Sequence, residues 1–127
     1  LANGLGNLVS RVMKMAESYD VKAREEDIEL FDKVYESHIL AKYDTGETMD
    51  LIWAQISTAD LLIQTEQPFK LIKTDKDKAE VVIKNLLKDL IEISAKLKPF
   101  LPETSEKIKE LIKNNKSPEK PLFLIKD

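Results

Sequence analysis

Apolar residues recur every three or four positions along most of the chain, and that spacing predicts helices. From the start to about Tyr19, Leu1, Leu5, Leu8, Val12, Met15 and Tyr19 form one stripe, while Asn3, Asn7, Arg11, Lys14 and Ser18 share the opposite face. A second helix, from about Arg24 to Lys42, places Ile28, Phe31, Val34, Tyr35, His38 and Ile39 on one side, and Asp44 to Gly46 breaks or bends it. A third, from about Glu47 to Gln64, buries Met49, Ile52, Trp53, Ile56 and Ile63. Pro68 ends it, because proline disfavours the helical region for the residue before it, and TEQPFKLIKTD becomes a connection with one turn inside. Thr74 then caps the longest helix, with Asp77 completing a weak capping box ahead of Ala79, Val82, Ile83, Leu86, Leu87, Leu90, Ile93 and Leu97. Pro99 stops that helix, and Pro102 opens a short fifth one that buries Ile108, Leu111 and Ile112. The pattern has no alternation long enough for a sheet, and its short connections predict an all-α antiparallel bundle of about five helices. Residues 1–127 are expected to form a single helical domain, with 114–127 a C-terminal tail ending in PLFLIKD.

Composition agrees with one compact unit. The 127 residues are 43% hydrophobic, enough for a core and too few for a catalytic domain plus anything else. The chain opens inside an amphipathic pattern with no initiator methionine and no cap, as expected of a piece of a longer protein whose first helix begins upstream. Zero cysteines exclude disulfides and thiolate metal sites, and one histidine argues against a histidine-based zinc site. No apolar run approaches the roughly 20 residues that span a bilayer, and no segment resembles a signal peptide, so no membrane partner is expected. The cysteine count leaves the compartment undetermined but fits cytosol, and a cytoplasmic location is expected. A net charge of -3 argues against a generic phosphate-coating protein, DNA binders included. The charge is uneven: Glu17 to Asp50 holds 11 acids against 4 bases, and Glu66 to Lys120 holds 13 bases against 10 acids. RNA would avoid the first stretch.

Few residues carry chemistry. His38 has no cysteine or second histidine to work with and falls on an apolar helix side, which reads as core or boundary. Trp53 sits among Met49, Ile52 and Ile56 and reads as core as well. Glu25, Glu26 and Asp27 are consecutive on a helix, point in different directions and read as solvated. Asn7 and Arg11 differ, because four residues apart on the polar face of the first helix they present donors and an acceptor side by side. Gly4 and Gly6 just upstream oppose the helix, and either a neighbouring helix or an RNA backbone coming close would explain them. Phe69 follows Pro68 outside any helical stripe, with Lys70 and Lys73 beside it; it either caps the end of the bundle or stacks on an unpaired base.

LANGLGNLVSRVMKMA, IWAQISTADLLIQTEQPF and KPFLPETSEKI occur at the start, middle and end of the chain. Together they resemble the anticodon-binding helical domain of the methionyl-tRNA synthetase family, and PLFLIKD is similar to the segment that closes that domain. NLVSR is the most specific part. Class I synthetases for isoleucine, valine, leucine and cysteine use similar bundles, and NLVSR with PFLPETSEKI points to the methionine enzyme.

The resemblance implies that the asparagine and arginine of N-L-x-S-R, here Asn7 and Arg11, hydrogen-bond bases of the CAU anticodon of methionine tRNA. It also implies that the aromatic after the proline, here Phe69, stacks on the first anticodon base. Many members have tryptophan there, so Phe69 offers less π surface. Such recognition suits unpaired loops, whose bases can be stacked and hydrogen-bonded at their edges. The implied partners are tRNA and the catalytic domain of the same parent chain. That parent would attach methionine to tRNA with ATP and magnesium through HIGH-like and KMSKS-like motifs. Neither motif occurs here, KTDKDK is a helix start, and no catalysis and no cofactor are expected of this fragment itself. Two alternatives are the same kind of domain from another class I synthetase, and a helical protein-interaction module docking through Phe123 and Leu124.

Overall fold

The computed structural model describes residues 2–29, 45–98 and 100–118, and among them every regular element is helical. In chain order these are α1 (Ala2–Ser18), α2 (Glu25–Ile28), α3 (Thr45–Glu66), α4 (Pro68–Thr74), α5 (Lys76–Leu97) and α6 (Pro102–Asn114). Most of the predicted second helix, including Phe31, Tyr35 and His38, lies outside the described residues, as do 119–127 of the tail.

The central element is α5, which packs against each of the other five helices. Its heptad-like stripe explains why: Ala79, Val82, Ile83, Leu86, Leu87, Leu90, Ile93 and Leu97 are all buried, and Ile91, Ser94 and Ala95 widen the buried face. Around it stand Leu5, Leu8, Val12 and Met15 of α1, Ile52, Ile56 and Ile63 of α3, and Ile108, Leu111 and Ile112 of α6. Val9, Met13 and Ala16 are buried too, because α1 meets α3, α5 and α6 and not one neighbour alone.

Directions follow from the contacts. Gly4 faces Trp53 and Ile56, and Arg11 faces Asp60, so α1 and α3 run parallel. Ser94 near the end of α5 meets Ser105 near the start of α6, so α5 and α6 run antiparallel. Asn115 Nδ2, just past α6, donates to the Ala16 carbonyl at 3.2 Å, which ties the ends of α6 and α1 together. Asn115 takes the left-handed conformation there, at φ 53°, which asparagine tolerates better than most residues.

Several expectations are corrected. Trp53 is 42% exposed, because the buried side of α3 is set by Ile52, Ile56, Ala59 and Ile63, and position 53 lies at the edge of that stripe. TEQPFKLIKTD is mostly helix: Gln67 turns left-handed at φ 45°, and Pro68, whose missing N–H costs nothing in a first turn, starts α4. Asp75 rather than Thr74 caps α5. Its Oδ1 accepts from Lys78 N at 3.2 Å, while the Thr74 hydroxyl donates back to Leu71 O at 3.4 Å. Asp27 is buried rather than solvated, because Arg24 Nη1 donates to its Oδ2 at 3.1 Å, while Glu25 and Glu26 are exposed. At Gly4 an added Cβ would lie 3.7 Å from Trp53 Cζ3 and 3.8 Å from Ile56 Cγ2, ordinary van der Waals distances. Helix packing therefore accounts for the surroundings of Gly4 without demanding glycine.

Candidate nucleic-acid interface

The polar face of α1 is turned outward: Asn7, Arg11, Lys14 and Ser18 are all exposed, as the 3.6-residue period requires once Leu8, Val12 and Met15 point into the core. Beside it, the break at Gln67 decides where Phe69 goes. Pro68 is buried and Leu71 packs on the core, which leaves Phe69 on the outer side of α4, 41% exposed.

These two exposed groups meet. Arg11, Lys14, Met15, Ser18 and Tyr19 from α1 and its end, Ile63 and Gln64 from α3, and Gln67 and Phe69 from the α3–α4 junction line one open groove of about 670 Å³. The volume is within the usual range of about 300 to 1,000 Å³ for ligand sites. Its lining combines aromatic rings, an apolar floor from Met15 and Ile63, and donors from Arg11, Lys14 and the two glutamines. Such a lining suits a flat, partly polar ring better than a phosphate chain, because stacking needs an exposed aromatic face and edge recognition needs directed donors.

Electrostatically the groove edge carries an ion pair, with Arg11 Nη1 3.7 Å from Asp60 Oδ1. Among the described residues no group of His, Cys, Asp and Glu is arranged to hold a metal ion, and no helix is long and apolar enough to cross a membrane.

Of the three residues singled out from the sequence, Arg11 and Phe69 share the groove. Asn7 stands one turn before Arg11 on the same exposed face and does not line it. Gln64, Gln67 and Tyr19 escaped sequence reasoning. Tyr19 read as core stripe and does pack, partly buried, against the core while also lining the groove. A left-handed glutamine leaves no signal, since that backbone region favours glycine and asparagine.

Residues 16–121 match the family described as the anticodon binding domain of methionyl tRNA ligase. Phe69 falls inside that segment, and Asn7 and Arg11 lie upstream of it. The methionine–tRNA ligase of Clostridium acetobutylicum is 38% identical over 123 residues, covering 86% of this chain and 19% of the relative. That of Clostridium tetani is 32% identical over 124 residues, covering 87% and 19%. The ligase of Rickettsia conorii is 29% identical over an alignment that takes in 100% of this chain and 28% of the relative. The chain thus spans about a fifth of the length of the first of these relatives. No solved structure matches it. With most of its length inside the family match, and with its groove formed by the helices that match covers together with α1, this chain belongs to the anticodon-binding domains of the methionyl-tRNA ligases.

Proposed function

We propose that this domain reads the CAU anticodon of methionine tRNA for a parent ligase whose catalytic part, with its ATP and magnesium, lies outside residues 1–127 and works in the cytoplasm. The observation that carries the proposal is the meeting of Arg11 and Phe69 in one groove, although they come from different helices. The Arg11 guanidinium supplies a planar fork of donors for a base edge, and Phe69 supplies the face on which a base stacks. Asn7, one turn away, adds a donor and an acceptor for a neighbouring base. Recognition through base edges and stacking needs few phosphate contacts, which is compatible with a net charge of -3.

The test is binding of the chain, at one fixed salt concentration, to tRNA anticodon arms that differ only in the triplet. The CAU arm should bind more tightly than arms with a changed triplet. R11A should remove about 1 to 3 kcal/mol of that discrimination, the usual worth of a bidentate base contact. F69A should cost about 1 to 3 kcal/mol, the usual worth of one stacked base, and F69W should strengthen binding. Equal affinity for all triplets, with the helical circular dichroism intact, sinks the reading.

A further inference from the structure

Asp60 stands behind Arg11: their ion pair spans 3.7 Å, yet Asp60 is not part of the groove lining that includes Arg11. The Arg11 side chain is 55% exposed and that of Asp60 is 32% exposed. Even so, Asp60 Oδ1 itself is buried and has no hydrogen-bond partner among the described residues. The backbone at Asp60 is anchored, because Ile56 and Ile63 on either side of it in α3 are both buried, and its side chain is short. Arg11, by contrast, is a long side chain on an exposed face.

From these facts we infer that Asp60 is a positioning residue, which holds the Arg11 guanidinium at the groove edge in the orientation that reads a base. The inference rests on the anticodon reading above. At 3.7 Å the pair lies beyond hydrogen-bond distance, so the buried oxygen remains an unmet acceptor. A shift of Arg11 toward Asp60 satisfies it, and a buried acceptor gains more from such a bond than an exposed one does. Guanidinium has five donors in a rigid fork, so engaging one nitrogen on Asp60 leaves the remainder for the base and fixes their plane. Without Asp60, base binding must also order a free arginine, which costs about 0.5 to 1.5 kcal/mol.

A double-mutant cycle tests this, with CAU and changed-triplet arms titrated in parallel and thermal unfolding as the check on folding. D60A should weaken CAU binding about three- to tenfold, the equivalent of ordering one free side chain, and narrow the preference for CAU by a similar factor. D60N keeps an oxygen acceptor at the same place and should restore most of the loss. In an R11A background D60A should change nothing further, since a residue that acts through Arg11 has nothing left to position. The inference is overturned if D60A and R11A losses add, if D60A leaves CAU binding unchanged, or if D60N is as impaired as D60A. The two readings fail differently. An R11A chain that still prefers CAU at full strength removes the role of Arg11 and the inference together, whereas an impaired R11A beside an intact D60A removes the inference alone.

Discussion

Ser94 and Ser105 exchange hydrogen bonds across the interface of α5 and α6: the Ser94 hydroxyl donates to the Ser105 carbonyl at 2.9 Å, and the Ser105 hydroxyl donates to the Ser94 carbonyl at 2.7 Å. Both residues are buried. A serine in a helix interior ordinarily weakens it slightly, but here each hydroxyl satisfies the other helix and lets two backbones approach closely. The pair fixes the hairpin that carries α6, which in turn ties down the end of α1 through Asn115.

S94A and S105A should each destabilise the fold by about 1 to 2 kcal/mol, because each leaves a buried partner with fewer bonds. The double variant should lose less than the sum, since the two hydroxyls belong to one network. Urea unfolding of the four chains measures both quantities, and strict additivity would show that the bonds act independently.

Gly4→Ala is expected to stabilise the chain by about 0.5 to 1 kcal/mol, the helix-propensity gain of alanine over glycine. Nothing opposes the methyl: the nearest atoms, on Trp53 and Ile56, lie at ordinary contact distance. Among the described glycines none has a positive φ, so the backbone is equally permissive. A fall in the unfolding midpoint would mean that α1 and α3 come closer in solution.

Trp53→Ala should cost about 1 kcal/mol, well below the roughly 3 to 5 kcal/mol of a fully buried aromatic, because nearly half of its surface is already in water. Thermal unfolding separates these values easily. A loss at the upper end would show that Trp53 is covered in solution by more than α3 and Gly4.

The same residue marks how far sequence reasoning reached. Helix existence, the buried stripe of α5 and the outward face of α1 were legible, because the 3.6 period is a local property of the chain. Trp53 was misplaced because a stripe has edges, and which neighbour covers an edge depends on packing between helices far apart in sequence. The Asp75 cap was mistaken for Thr74 by one residue, since either side chain suits the position and only the backbone at Asp75, φ -145°, decides. Within the groove, the outward position of Arg11 was legible from spacing. The ion pair with Asp60 was not, because it joins two helices whose relative rotation no local pattern encodes.

Between α3 and α5, Gln55 gathers three charged groups: its Nε2 donates to Glu92 at 3.1 Å and to Asp89 at 3.5 Å, and its Oε1 accepts from Lys96 at 2.9 Å. Burial pushes the Asp89 carboxyl above its usual range, the Gln55 hydrogen bond opposes that shift, and the charge of Glu92 adds to it. The nearby ammonium groups of Lys88 and Lys96 pull the other way. Burial likewise lowers Lys96, against the charges of Glu92 and Asp89. An acid whose folded value is raised binds more protons folded than unfolded, so its contribution to stability falls as pH rises from its ordinary value through the folded one. For Lys96 the sign is opposite, and its contribution rises with pH through its own window. Asp89→Asn removes the first effect and one of the two negative charges that oppose the lowering of Lys96, which sharpens the second without changing its sign. Its unfolding temperature should therefore match or exceed that of the parent chain at pH 7, with the difference shrinking as pH falls toward the ordinary Asp value of 3.8. A parent chain that is the more stable at pH 7, by a margin growing with pH, would mean that ionised Asp89 is a net stabiliser.

Lys14 lines the groove one turn beyond Arg11 on the exposed face of α1. A base seated between Arg11 and Phe69 brings its own backbone phosphate with it, and an ammonium group acts on phosphate as a point charge without regard to sequence. K14Q should therefore weaken CAU and changed-triplet arms by the same factor and leave their ratio unchanged. The dependence of affinity on salt should also flatten, by about 0.7 in the slope of log K against log salt, the share of one phosphate contact on a single strand. Titrations of both arms at four salt concentrations measure slope and ratio together. R11A gives the opposite signature, a reduced ratio with little change in slope. If K14Q lowered the CAU ratio instead, Lys14 would be reading a base edge, and the donors that set specificity would extend along α1 from Asn7 through Arg11 to Lys14.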